Sequence, residues 1–228
     1  MQEHPQSTIT DDAEVLLERF EAIYRDSDGD PARIPWAHAK PCPWLVSWLN
    51  AEAPSLVRAG ARTAVVGCGL GNDAALLAER GYEVTAFDIC PSAIELARAR
   101  FPQHADCFLQ ADLRDLPVKL HHRFELVVEI HTLQALPPNC RPPLARGMVS
   151  LLSHRGILIA IARARDEAVP PESVSGPPFP IAPRELISTM REAGLEPLRK
   201  PDDFLDDNDP PVRRIRALFH RADAPCPD

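Results

Sequence analysis

An α/β fold with one doubly wound sheet is what this sequence predicts, and three stretches carry the prediction. Thr63 to Val66 is a short apolar run that enters a turn with glycines at alternate positions, Gly67, Gly69 and Gly71. Tyr82 to Ile89 is a second apolar run, and Asp88 ends it. Phe108 to Leu113 is a third, ended by Asp112. Alanine-rich stretches with good helix formers lie between them. Strand and helix therefore alternate, which is the pattern of a parallel sheet with crossover helices.

Taken in order, residues 1–10 read as a frayed start. Asp11-Asp12 is placed to cap a helix with Val15, Leu16, Phe20 and Ile23 at helical spacing. Asp26 to Pro31 is a polar turn, too short for a calcium loop. Pro43 to Leu49 follows as a helix with Trp44, Trp48 and Leu49 on one face, and Trp36 precedes it in a loop broken by prolines. The spacing then predicts strand 63–68, helix 72–80, strand 83–88, helix 91–101 and strand 108–112. Pro91 suits the first turn of its helix. Phe124 to Ile130 is apolar throughout, as a central parallel strand should be. Next come a helix over 137–152 and a strand over 156–162.

Residues 163–182 form a long loop with an apolar tip, Pro177-Pro178-Phe179-Pro180. A loop of that length in a compact domain is functional or disordered, and the apolar tip favours a substrate lid with Phe179 turned inward. Helix 183–194 and strands near 196–205 and 212–220 close the chain. The acidic stretch Asp202 to Pro210 reads as a solvated connection, and Ala222 to Asp228 as a loose tail.

The chain has 228 residues and a net charge of −8, enough length for one domain with a sizeable core. No Lys/Arg track marks a nucleic-acid partner, so a small-molecule partner is expected. No apolar stretch reaches spanning length and the start lacks a secretory pattern, which points to the cytoplasm with no membrane contact. The six cysteines, Cys42, Cys68, Cys90, Cys107, Cys140 and Cys226, show no C-x-x-C spacing. They are expected as free thiols, with no metal site. Monomer and homodimer stay open.

The glycine corner suits a nucleotide-like cofactor with a negative group. Glycines let backbone approach a ligand, and a helix start presents unpaired N–H groups. Glycine-rich turns also occur as plain structure. The dinucleotide fingerprint G-x-G-x-x-G would place its last glycine at Asn72, which argues against a nicotinamide oxidoreductase. At the carboxyl end of its strand, Asp88 can accept both hydrogen bonds of a ribose diol, with Ile89 against an adenine face. Asp112 ends the next strand where an adenine amino group would be met.

With these residues in this order, the chain resembles the class I S-adenosylmethionine-dependent methyltransferases over about residues 60–165. The resemblance implies a Rossmann-like, seven-stranded sheet, mostly parallel with an antiparallel last strand. It also implies S-adenosylmethionine as cofactor. The turn Gly67-Cys68-Gly69-Leu70-Gly71 would hold the methionine end, Asp88 the ribose, and Asp112 with Leu113 the adenine. Val65 stands where many members carry an acid two residues before the first glycine. Gly71-Asn72-Asp73 and the segment Phe124 to Pro138 are closest in pattern to the thiol, halide, thiopurine and tellurite-type enzymes, which adds Asp73 to the cofactor set. In those enzymes a Pro-Trp segment closes over the cofactor, so Trp36 would shield the sulfonium and face the acceptor. A loop-anchoring tryptophan is the other reading. His38 and Lys40 share that segment.

The domain plan is then a single methyltransferase domain over 1–228. It comprises a helical lid segment 1–52, a cofactor core 60–165, the lid loop 163–182, and a C-terminal helix with edge strands over 183–228. Methyl transfer is an in-line displacement in which positioning supplies roughly 7–11 kcal/mol. His131 is the candidate base, because an ordinary histidine titrates near neutrality, or else a structural residue. Glu129 either sits near the sulfonium or is a strand-end acid satisfied by backbone N–H groups. His131 and Phe179 would also touch the acceptor, an S, O or N nucleophile. His121-His122 reads as a solvated turn. A non-catalytic cofactor-binding protein on the same fold is the competing reading.

Overall fold

The computed structural model describes residues 7–224, with side chains from residue 13 onward. The frayed start expected over 1–10 and the loose tail expected over 222–228 lie partly outside it, as Cys226 does wholly, but residues 7–10 of that start are helical rather than frayed. Helix α1 (Ser7–Asp26) begins ahead of Asp11-Asp12, so those residues do not cap it. Its inner face is formed by Ala13, Leu16, Leu17, Phe20, Ile23 and Tyr24. Val15, expected there, is 63% exposed. α2 (Pro43–Ala51) starts with proline, whose missing N–H is an orphan at that position anyway, and buries Leu45, Trp48 and Leu49. A short α3 (Ala53–Leu56) leads into the sheet.

The alternating core follows as β1 (Arg62–Val66), α4 (Asn72–Glu79), β2 (Glu83–Asp88), α5 (Pro91–Arg100), β3 (Phe108–Gln110), β4 (Phe124–Ile130), α6 (Arg141–Leu151) and β5 (Leu152–Arg163). α7 (Pro183–Glu192), β6 (Leu195–Pro197), β7 (Asp202–Leu205) and β8 (Arg213–Arg221) complete it. The strand order is β3-β2-β1-β4-β5-β8-β6, parallel from β3 to β5, with β8 antiparallel to β5. The expected doubly wound, mostly parallel sheet is the one observed.

It differs in one detail, an eighth strand. The run expected as one strand near 196–205 is two, laid end to end along β8. β6 pairs at Leu195↔Arg221 and β7 at Phe204↔Arg214. Pro201, just before β7, has no N–H to donate to a ladder. The acidic stretch from Asp202 is thus strand and ion-paired turn, not a solvated connection. β8 alternates inward apolar residues with arginines, and those arginines need the aspartates beside them.

One face of the sheet packs on Leu144 and Met148 of α6 and Leu186 and Met190 of α7. The other packs on Trp48 of α2, Leu77 of α4 and Ile94 of α5. Central strands covered on both faces read as continuous apolar runs, and Ile157 to Ala162 are all buried. Strand order reverses between β1 and β4, which opens a crevice at their carboxyl ends where ligands of such sheets bind. Among the described residues no helix is long and apolar enough to cross a membrane. None of Cys42, Cys68, Cys90 and Cys107 is in a disulfide.

Candidate functional site

The glycine turn is built by close approach. Val66 C=O accepts the Thr132 hydroxyl at 3.0 Å. A Cβ on Gly67 would lie 2.3 Å from that same Thr132 Oγ1, and φ there is +58°. Only glycine meets both conditions. Cys68 N–H donates to Phe87 C=O at 3.0 Å, carrying the β1–β2 ladder one step into the turn. Gly69 N–H donates to Asp88 Oδ2 at 2.9 Å, and Cys90 N–H donates to Oδ1 at 3.0 Å. Asp88 is thereby brought to the turn, buried to 8% exposure. Burial pushes its carboxyl up, and the Cys90 and Gly69 N–H groups act against that. Ile89 sits half-buried next to it, against the cluster of Tyr24, Leu70 and Ala93.

Ala111 N–H donates to Asp88 C=O at 3.0 Å, so the ends of β2 and β3 lie side by side. Burial raises the half-buried Asp112 carboxyl, but the Arg114 side chain and N–H outweigh it and hold it below the usual range. Arg114 reaches both oxygens at 2.7–3.0 Å. Leu113 is buried in the core, and α6 packs so closely that a Cβ on Gly147 would lie 2.0 Å from the Leu113 carbonyl oxygen.

The segment after α1 is fastened over this turn at several points. Trp36 Nε1–H donates to Tyr24 Oη at 2.9 Å, and Trp36 packs edge-on against Phe20 and Tyr24 with centroids 5.2 and 5.6 Å away. A Cβ on Gly69 would lie 3.0 Å from Tyr24 Oη, so the tyrosine touches the turn itself. Burial, then the Asp88 charge, keeps Tyr24 protonated well above its usual range. Asn72 donates to His38 C=O at 2.7 Å, and Asp73 Oδ1 accepts Cys42 N–H at 2.7 Å. Asp73, expected to touch cofactor, here ties the segment between α1 and α2 to the start of α4. Burial pushes its carboxyl up to about 6. Lys40 is exposed.

Past β4 the chemistry changes. Glu129 is fully buried, with Oε1 accepting Leu133 N–H at 3.1 Å and Oε2 unpartnered. Glu129 is thus a strand-end acid with one oxygen held by backbone and the other unsatisfied. Burial pushes it up to about 7. His131 is held at φ +68° with its N–H on Ile161 C=O. Its Nε2 lies 3.4 Å from Arg214 Nη1. A guanidinium only donates, so Nε2 is the acceptor and the proton is assigned to Nδ1. Burial, then the charges of Arg214, His38 and Arg163, push His131 down to about 3. The premise that it titrates near neutrality is therefore wrong: desolvation and neighbouring cations disfavour the imidazolium.

Arg214, Asp206 and Tyr24 were not singled out by sequence. Arg214 stacks over Trp44 at 4.5 Å, so Trp44 is more than core. Arg214 Nε donates to Asp206 Oδ2 at 2.8 Å in a pair whose side chains are 6% and 2% exposed. Burial raises the Asp206 carboxyl, but N–H groups of Val212 and Asn208 and the Arg214 fork outweigh it and hold it low. His38, from the lid segment, comes within 6.5 Å of His131 ring to ring. Phe179 N–H donates to Gln134 C=O at 2.7 Å, its own C=O accepts Arg141 Nη2 at 2.8 Å, and its ring lies half-buried over Gly176. Loop 163–182 is thus pinned to the residues after β4. Arginines alternating in β8 were the available signal for Arg214. Tyr24, one turn beyond Phe20, was available on α1.

Residues 64–156 match the family described as methyltransferase domain. Over 218 residues the chain is 28% identical to a ubiquinone biosynthesis O-methyltransferase of Xanthomonas campestris pv. campestris, covering 86% of each. Over 152 residues it is 26% identical to thiocyanate methyltransferase 1 of Brassica oleracea, covering 65% of this chain and 62% of that one. Among solved structures, the 1,6-didemethyltoxoflavin-N1-methyltransferase of Burkholderia thailandensis, crystallised with 1,6-didemethyltoxoflavin and S-adenosylhomocysteine, matches with a TM-score of 0.69. That match has 18% identity and covers 97% of this chain and 94% of that chain. Residues 64–156 are thus similar to methyltransferase domains, and the sheet that carries them has the fold of the solved methyltransferase, in line with the resemblance.

Proposed function

We propose that the chain is an S-adenosylmethionine-dependent methyltransferase that alkylates a small-molecule acceptor by in-line displacement. The observation that carries the reading is the Asp88 carboxylate, 2.9 Å from the Gly69 N–H at the strand-order reversal. An anionic acceptor pair at that point fits a ribose diol, and the turn Gly67-Cys68-Gly69-Leu70-Gly71 runs directly beside it, its Gly69 N–H on the carboxylate. When bound, the cofactor supplies a methyl group on a positively charged sulfur. Asp88 holds the ribose with Ile89 beside the adenine. Asp112, fixed by Arg114, and the Leu113 backbone meet the adenine edge. Trp36 and Tyr24 cover the turn and exclude water, and Asp73 keeps their segment closed. The described part of residues 1–52 serves as one lid and 163–182, through Phe179, as the other.

A general base works best when its pKa lies near the operating pH. His131, depressed to about 3 with Nε2 on Arg214, is instead a neutral wall of the acceptor site. Glu129 braces the end of β4 from beneath. Acceptors that ionise without help near neutrality, thiols among them, fit such a site better than alcohols.

Calorimetry with S-adenosylmethionine, S-adenosylhomocysteine and NAD tests the cofactor: the first two bind and the third does not. Asp88→Ala weakens S-adenosylhomocysteine by about ten-fold or more, the worth of a charged hydrogen bond. An unchanged affinity would reject the role of Asp88. Turnover of a labelled methyl donor separates an enzyme from a non-catalytic cofactor binder.

A further inference from the structure

At the far side of the crevice two arginines stand directly opposite one another. Arg163, the last residue of β5, is the register partner of Arg214 on β8. Directly paired residues of antiparallel strands project on one face, and like charges there repel. That face is the one covered by α2, since Ile159 and Ile161 alternate with Arg163, and Leu218 with Arg214. Arg214 is compensated by the buried Asp206 carboxylate. Arg163 enters none of the described ion pairs, and its side chain makes none of the described hydrogen bonds. Its backbone, by contrast, is fixed on both sides, N–H to Gln134 Oε1 at 2.5 Å and C=O from Ile181 N–H at 3.0 Å. The strand end is therefore rigid and carries an uncompensated cation beside a neutral His131. It does so on a chain whose net charge is −8.

We infer that the methyl acceptor carries an anionic group, a carboxylate or phosphate, which seats on Arg163 beside the Arg214 pair at the carboxyl ends of β4 and β5. The planar fork of an arginine matches either oxyanion. The anion relieves the repulsion between Arg163 and Arg214, and it orients the acceptor with its nucleophile toward β1 and β4. His131, held by Arg214, forms the wall between. The inference deepens the methyl-transfer reading and depends on it only for what the anion is attached to.

The test titrates wild type, Arg163→Gln and Arg163→Lys with salicylate, thiosalicylate, citrate and inorganic phosphate, and with salicylamide as the neutral partner of salicylate. Each is run with and without S-adenosylhomocysteine. Wild type binds at least one of the anions, and prefers acid to amide by about ten-fold or more. Arg163→Gln loses that binding, Arg163→Lys keeps part of it, and all three bind S-adenosylhomocysteine alike. The phosphate arm against the carboxylate arms tells which oxyanion the seat takes. Equal binding of the anions by wild type and Arg163→Gln, no binding of any anion by wild type, or a preference for the amide overturns the inference. Loss of S-adenosylhomocysteine binding in every protein would instead sink the methyl-transfer reading, and the titrations without it would still decide the seat.

Discussion

The two halves of the crevice are built by opposite means. On the side of β1, β2 and β3 the surface is backbone and carboxylate: glycines, the Asp88 oxygens and the Asp112 oxygens. On the side of β4, β5 and β8 it is guanidinium and imidazole: Arg163, Arg214, His131 and His38. The first half is assembled from neighbours in sequence. Asp88 reaches a glycine 19 residues away. The second needs the antiparallel return of β8, which brings Arg214 to a histidine 83 residues away. A methyl donor with a positive sulfur suits a boundary between an acidic and a basic half, because the proposed anionic acceptor would then complement both the sulfur and Arg163.

The largest expected effect breaks the basic half alone. Asp206→Ala leaves Arg214 buried without its carboxylate, which costs about 3–5 kcal/mol and lowers the melting temperature by roughly 10 °C for a chain of this size. Calorimetry should find S-adenosylhomocysteine affinity within about two-fold of wild type. If melting is unmoved, the pair is not the support of this half. If cofactor affinity falls with it, the two halves are not independent.

Next in size is the mirror experiment on the acidic half. Gly67→Ala places a methyl against Thr132 at a positive φ, so it adds roughly 1–2 kcal/mol of backbone strain and displaces a hydrogen bond worth about 1 kcal/mol. S-adenosylhomocysteine binding should fall by about ten-fold or more, while anion binding at Arg163 persists. Retained cofactor affinity would show that the turn tolerates a side chain and that its glycines are plain structure.

The same contrast decides what sequence can disclose. The turn, Asp88 and Asp112 were legible as neighbours because strand, turn and acid follow one another within two consecutive βαβ units, where spacing alone fixes geometry. The alternation of strand and helix likewise gave the sheet. Asp206 was not legible: an acidic stretch of low hydropathy reads as solvated until the register of β7 against β8 sets it beside Arg214. His131 failed for a related reason. Its identity suggests a base near neutrality, but burial in the fold lowers its pKa most, and the charges of Arg214, His38 and Arg163, which arrive from three other segments, lower it further. Asp73 was legible as part of the corner but not as the fastener of Cys42, because a backbone N–H from another segment leaves no mark in sequence.

β4 is the seam between the halves, and its end carries two titrating groups. Glu129 pairs in register with Val66 of β1 on one side and Ala160 of β5 on the other, and His131 N–H bonds to Ile161 of β5. The folded carboxyl of Glu129 is raised to about 7 from 4.5, so it keeps a proton that the unfolded chain gives up. Its contribution is full below 4.5 and is lost as pH rises through 7. The folded imidazole of His131 is depressed to about 3 from 6.5, so the unfolded chain binds the extra proton. Its contribution is full above 6.5 and is lost as pH falls toward 3. Between those limits the two slopes oppose, each at most about 1.4 kcal/mol per pH unit. Glu129→Gln, nearly isosteric and without a titrating proton, removes one of them. Stability measured by denaturant between pH 4.5 and 6.5 should then rise with pH more steeply than in wild type. Asp73, raised in the same sense as Glu129, is present in both proteins and cancels. Parallel stability profiles for the two proteins would mean that Glu129 is ionised in the fold, with a counter-charge reaching its unpartnered oxygen across the seam.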